Sequence, residues 1–229
     1  MLPMKILAID TSTEQLSLAL WLDGNIVERT EPPGEQHSSL ILPMIQELMA
    51  SAAVDPAELD GVAYPVGPGA FTGLRVGCGI AQGLGFALNI PLLGISTLKA
   101  MAAAVETDGE ILVCLDARMG QVYTGLYQLE NATLSNLEAD RLANPEEISP
   151  PKAGVHLVGN GFFAYQDKFQ PQLLSTSTLI QTHQLPHARA FAKIAAKDLE
   201  AGLVTDAKES GLVYLRDKVA LTTKEREAK

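Results

Sequence analysis

The chain has 229 residues, a formal net charge of -10, 47% hydrophobic residues and 19% charged ones. That balance furnishes a core for one large domain or two small lobes and excludes a disordered chain. With 27 acidic against 17 basic residues, the chain lacks the clustered cations that gripping a nucleic-acid backbone unaided requires, so any role near RNA passes through a partner.

The first predicted element is a short apolar strand, Lys5 to Asp10, that ends in an acid. After Thr11-Ser12-Thr13-Glu14, residues Gln15 to Trp21 alternate like a half-buried strand, and an Asp23-Gly24-Asn25 turn leads into a third strand from Ile26 to Thr30. An antiparallel meander is expected. Helical spacing follows from Ser38 to Ala53, with Pro43 kinking its first turn or marking its true start. Asp55-Pro56-Ala57-Glu58 carries a cap, a proline and an acid three residues after the cap, which predicts a short helix. Gly61 to Tyr64 reads as a strand, Thr72 to Leu88 as a helix after the turn Gly67-Pro68-Gly69, Pro91 to Ile95 as a strand, and Ser96 to Val105 as a capped helix.

The pattern then starts again. Ile111 to Asp116 is a strand ending in an acid, and Gln121 to Tyr127 is its return; a shift of 106 residues sets Asp10 on Asp116, Gln15 on Gln121 and Leu20 on Leu126. Two lobes built by duplication are expected, spanning 1–105 and 106–217, with a polar, disordered tail at 218–229. A Pro-rich loop from Asn144 to Pro151, a strand from Val155 to Val158, a Gly159-Asn160-Gly161 turn with a short helix, and a long helix from His187 to Gly202 complete the second lobe. The uncharged stretch Val76 to Ile95 has membrane-spanning length, but its glycines, Gln82, Asn89 and Pro91 make it two elements of a globular fold. No membrane association is expected.

Few residues invite chemistry. Asp10-Thr11-Ser12-Thr13 is either a polar turn bonded to its own backbone or a phosphate cradle with a carboxylate for hydrated Mg²⁺. The loop around Gly67 and Gly69 and the helix start at Thr72 offer backbone N–H groups to an anion, or else serve packing; no Gly-Lys-Ser/Thr follows, so it is not a P-loop. Gly73, Gly77, Gly79, Gly83 and Gly85 in the following helix each cost about 1 kcal/mol relative to alanine, so close packing must return that energy. His37, His156, His183 and His187 show no metal-ligand spacing on a helix. Asp116-Ala117-Arg118 is an ion pair of the structural kind, and Cys78 and Cys114 are buried thiols of a reducing cytoplasm.

The runs from Met4 to Thr13, His37 to Ser39, Gly67 to Gly77, Ser96 to Leu98, Asp116 to Tyr123 and Tyr214 to Arg216 together resemble the TsaB family, formerly called YeaZ. The departures are Tyr64-Pro65-Val66 ahead of the Gly-Pro-Gly run and Ala70 where serine is usual. The resemblance implies an α/β, actin-like (ASKHA, ribonuclease H-like) fold with two related lobes, each a mixed sheet with flanking helices. It implies a non-catalytic, cytoplasmic scaffold in the synthesis of threonylcarbamoyladenosine on tRNA. The expected partner is the paralogue TsaD, with TsaE and tRNA reached only through the complex, and a homodimer when alone. ATP and metal are expected in partner subunits, none in this one, because His37 lacks the second histidine of TsaD's HxxxH pair. Asp10, Thr11, Ser12, Thr13, Gly67 and Gly69 are then a vestigial phosphate site. The partner surface is expected on the helices 38–53 and 72–88, through Ile41, Met44, Ile45, Leu48, Leu74, Gly77, Gly79 and Gln82. A metallopeptidase-like or sugar-kinase-like phosphotransferase and an unrelated homodimeric regulator are the competing readings.

Overall fold

A computed structural model describes residues 4–31, 37–149 and 154–216; the expected tail at 218–229 lies outside them. Two five-stranded sheets carry the chain. In the first, β1 (Lys5–Asp10), β2 (Leu16–Leu22) and β3 (Asn25–Glu31) form the expected antiparallel meander, and β4 (Gly61–Gly67) and β5 (Leu92–Ser96) add in parallel beside β1. The second repeats the plan with β6 (Gly109–Asp116), β7 (Val122–Glu130) and β8 (Thr133–Ala143) as the meander, and β9 (His156–Val158) and β10 (Leu179–Gln181) as the parallel pair. The orders β3-β2-β1-β4-β5 and β8-β7-β6-β9-β10 are the same topology. This is the α/β actin-like, ribonuclease H-like arrangement of two related units.

Strand alternation assigns the helices to faces. Leu7 and Ile9 point toward α1 (His37–Ser51) and α2 (Phe71–Leu88), joining Leu18, Leu20, Ile41, Ile45 and Leu48 in one core. Ile6 and Ala8 point the other way, onto Phe191, Ala192 and Ala195 of α6 (Ala188–Glu200). In the second sheet Leu112 and Cys114 face Phe162 of α4 (Gly161–Ala164) and Leu173 of α5 (Pro171–Ser175). Ile111, Val113 and Leu115 face Leu98 and Met101 of α3 (Thr97–Ala103). The sequence boundary at 105/106 therefore separates the sheets but not their helices: α3 from the first half packs on the second sheet, and α6 from the second half covers the first.

Local signals explain most element ends. Asp55 and Glu58 form a reciprocal capping box, with Pro56 opening the 3-10 turn, and the Ser96 hydroxyl caps α3 by accepting from the Lys99 N–H at 3.2 Å. Pro43 neither starts α1 nor breaks it; it lies inside the helix on the exposed side. Two strands absent from the sequence reading are β8, whose side chains are mostly exposed on both faces, and the three-residue β10. Among the described residues no helix is long and apolar enough to cross a membrane.

Candidate functional site

The C-terminal ends of β1 and β6 meet across a cleft, each finishing in an aspartate followed by the same local turn. Asp10 Oδ1 accepts from the Ser12 N–H at 2.9 Å, and Asp116 Oδ1 accepts from the Arg118 N–H at 2.7 Å. Each strand parallel to these ends in a Gly-x-Gly: Gly67-Pro68-Gly69 after β4 and Gly159-Asn160-Gly161 after β9. The first glycine has φ of 114° in one and 116° in the other, a conformation that side chains rarely adopt. Their second glycines, Gly69 and Gly161, lie against the ends of β1 and β6: an added Cβ would fall 2.4 Å from the Ser12 carbonyl oxygen or 2.8 Å from that of Cys114. The duplication is thus carried by the turns as well as by the strands.

In the first unit that turn is filled by its own chain. Asp10, Thr11, Ser12 and Thr13 are all buried. The Ser12 hydroxyl donates to Asp10 Oδ1 at 2.7 Å, Thr11 Oγ1 donates to the Gly73 carbonyl at 2.8 Å, and the Gln15 N–H donates to Thr13 Oγ1 at 3.3 Å. The Ala70 N–H, which opens α2, donates to the Ser12 carbonyl at 2.7 Å. A Cβ on Gly73 would stand 2.0 Å from the Thr11 carbonyl oxygen, and one on Gly77 would stand 2.4 Å from Thr11 Oγ1. The groups expected at a vestigial phosphate site are thus engaged by the chain itself. The Thr11 hydroxyl and the Ser12 carbonyl dock α2 onto the end of β1, Gly69 provides the clearance for that approach, and Gly67 lies under the Val213 carbonyl.

What remains of the cleft is a cavity of about 100 Å³ lined by Ser12, Thr13, Gly69, Asp116, Arg118 and Asn160, among others. Ligand pockets for cofactor-sized molecules run to about 300 Å³ and more, so this cleft is about a third of that size. Its wall is fixed by Asp116, which accepts from the Tyr165 hydroxyl at 2.7 Å and pairs with Arg118 at 3.1 Å. Arg118 is 77% exposed, so this pair is a surface contact of small energetic weight.

The expected partner surface divides in two. Ile41, Met44, Ile45 and Leu48 are at most 5% exposed and pack on the first sheet, Leu74 is buried beneath the Gly-Pro-Gly loop, and Gly77 faces Thr11. These six residues belong to the interior. The apolar arc of α1 is broad because the helix lies against both the sheet and the partly buried apolar residues of α2. Gly79 and Gln82 stay on the outer side of α2 with Arg75, Gly83 and Phe86; nothing approaches within 4 Å of a Cβ on Gly79 or Gly83, and Phe86 is 73% exposed.

Among the described residues no group of three or more His, Cys, Asp or Glu side chains is placed to hold a metal ion; the His37 side chain lies outside them. His156 bonds the Asp108 carbonyl and Thr178, His183 stacks on Phe163, and His187 caps α6. Both cysteines are buried, and desolvation pushes their thiols up, Cys114 to about 12. They are inert.

One polar cluster escaped the sequence reading. Asp140 accepts from both the Tyr127 and Ser96 hydroxyls and so ties the second sheet to the β5–α3 junction. Gly125 makes the room, since a Cβ there would meet Asp140 Oδ1 at 2.5 Å, and the β7–β8 register shifts at this point. Burial and the neighbouring carboxylate hold the Tyr127 phenol well above its usual range.

A family model described as TsaD, tRNA N6-adenosine threonylcarbamoyltransferase, matches residues 31–224. The chain is 36% identical to the tRNA threonylcarbamoyladenosine biosynthesis protein TsaB of Escherichia coli strain K12, with 95% of this chain and 96% of that protein covered. It is 33% identical to the TsaB of Haemophilus influenzae, covering 93% and 94%. Among solved structures, YeaZ from Pseudomonas aeruginosa superposes with a TM-score of 0.85 at 31% identity, covering 93% of this chain and all of that one.

Proposed function

Because the chain belongs to the TsaB family of tRNA threonylcarbamoyladenosine biosynthesis proteins, we propose that it serves that pathway as a non-catalytic scaffold, pairing with TsaD. The observation that carries this reading is the filled Asp10 turn. The unit keeps the actin-like strand and acid, yet engages the Ser12 hydroxyl on Asp10 itself and uses the Thr11 hydroxyl, the Ser12 carbonyl and the adjoining glycines to seat α2. A metallopeptidase-like or sugar-kinase-like enzyme would need a metal cluster or an open phosphate cradle at such a position. ATP and metal then belong to partner subunits, TsaE and tRNA are reached through the complex, and the setting is cytoplasmic. The acidic balance of the chain agrees with a protein that leaves tRNA contact to others.

For the pairing surface, the outer side of α2 supports the choice over α1. Gly79 and Gly83 would let another backbone approach closely, and Phe86 offers an exposed aromatic anchor at the end of the same face. TsaD is expected to meet this face pseudosymmetrically with its own matching helix, and a second copy of this chain takes its place when TsaD is missing. The test is co-elution of purified TsaD with Gly79→Leu and Phe86→Asp variants on size exclusion, with circular dichroism to monitor folding. Both variants are expected to stay folded and to elute apart from TsaD. A folded variant that still co-elutes normally disproves this surface.

A further inference from the structure

After α6 the chain turns back along the first unit and is fastened there repeatedly. Thr205 exchanges both backbone hydrogen bonds with Leu92 at 2.9 Å, and Gln82 Nε2 donates to the Ser210 carbonyl and hydroxyl at 3.1 Å each. The Tyr64 hydroxyl donates to the Gly211 carbonyl at 3.1 Å, and the Val213 N–H donates to the Val66 carbonyl at 2.8 Å. The Tyr214 ring then rests 5.8 Å from that of Phe71, with the Arg75 guanidinium over both.

Two residues later the segment reaches the other unit. Arg216 Nη2 donates to the Ala117 carbonyl at 3.0 Å and to the Arg118 carbonyl at 3.4 Å, while Nη1 points at Met119 Sδ from 3.6 Å. The receiving turn joins β6 to β7 and forms a wall of the cleft. Arg118, Met119 and Gly120 all have positive φ, 61°, 56° and 79°. Arg118 and Met119 are not the Asn or Gly that such a turn prefers, so its geometry depends on support from outside. A rigid guanidinium fork is suited to that, because it gives several fixed donors to converging carbonyls at once.

We infer that residues 205–216 are a clasp across the cleft, that Arg216 is its latch, and that releasing the latch loosens the 116–121 turn and lets the two units move against each other. The asymmetry of the attachments carries the inference. The segment is pinned to the first unit at several separate points, so it acts as a fixed arm, and among the described residues the hydrogen bonds that it makes to the second unit come from one side chain.

The test uses the full chain with Arg216→Ala and Arg216→Lys, read by residue-resolved amide exchange. In Arg216→Ala the amides of Ala117 and Gln121, both bonded within the turn, are expected to exchange about tenfold faster or more, while Thr205 and Val213 keep their protection. Lysine, a single point charge, is expected to rescue only part of the loss. Spin labels at Leu42→Cys and Leu137→Cys, both half-exposed and on different units, are expected to show a broadened distance distribution in Arg216→Ala. Unchanged exchange in the turn, an unchanged distance distribution, or loss of protection at Thr205 and Val213 together with the turn would each overturn the proposal. The last result would mean that the whole arm had melted.

Discussion

Glycines of α2 that look alike in sequence are expected to respond in opposite directions to the same substitution. At Gly73 a methyl group would stand 2.0 Å from the Thr11 carbonyl oxygen, a backbone atom that no rotamer change can move aside. Overpacking of this kind costs about 1–3 kcal/mol, and forcing the helix outward also weakens the Thr11–Gly73 hydrogen bond, about 1 kcal/mol. Against that stands a gain of about 1 kcal/mol in helix propensity. Gly73→Ala should therefore destabilise by about 1–3 kcal/mol, a fall in Tm of about 2–12 °C for a chain of this size. At Gly79 no atom lies within 4 Å of the added methyl, so only the propensity gain remains. Gly79→Ala should raise Tm by about 2–4 °C. Thermal unfolding of both variants, monitored by circular dichroism under identical conditions, is the assay. Equal destabilisation by the two, or a neutral Gly73→Ala, would refute the claim that close approach to Thr11 is what that glycine is for.

Two further outcomes are expected. His187 caps α6 by accepting from the Arg189 N–H through Nδ1 while Nε2 meets Thr30 Oγ1 at 2.8 Å, and burial lowers its pKa despite the opposing pull of Glu28. A histidine depressed in the folded state binds its proton more readily when unfolded, so its contribution is complete above the ordinary imidazole value of about 6.5 and declines as pH falls below it. His187→Asn, which keeps a capping side chain but cannot titrate, should flatten the fall in Tm between about pH 7 and 5.5; an unaltered slope would show that the acid sensitivity arises elsewhere. Calorimetry with Mg·ATP on the purified chain should detect no micromolar binding, because Ser12, Gly69 and Gly73 fill the turn where phosphates would lie. Saturable heat at that level would restore the phosphate-site reading.

The meander strands and their terminal acids were legible in the sequence because they alternate and end on turn residues, and the match of Asp10 with Asp116 already disclosed the repeat. The role of the Asp10 turn was not. Hydroxyls seated on backbone carbonyls and hydroxyls awaiting phosphate have the same one-dimensional signature; only the distance between Thr11 and Gly73 separates them. The glycines of α2 posed a similar problem. Spacing by four puts Gly73 and Gly77 on one face, yet nothing in composition says whether that face meets the protein's own strand or another subunit. For α1, the helical spacing of Ile41, Met44, Ile45 and Leu48 does not tell an internal contact from an external one, and two internal neighbours absorb that apolar arc. The edge strand β8 was missed because side chains exposed on both faces leave no alternation to read. Asp140 sits in that strand, so the tie between the units went unseen with it.

The exchange of helices between the two sheets has a consequence for synthesis on the ribosome. Ile6, Ala8 and Ala63 need Phe191, Ala192 and Ala195 to cover them, and those residues are made near the end of the chain. At about 5–20 residues per second, the first sheet waits roughly 5–20 s after its last strand is complete before its inner face can be closed. Through that interval a nascent chain carries an apolar sheet surface that its own first half cannot hide. Cutting the coding sequence between the two repeats would leave each fragment with one uncovered sheet face until the two fragments found each other.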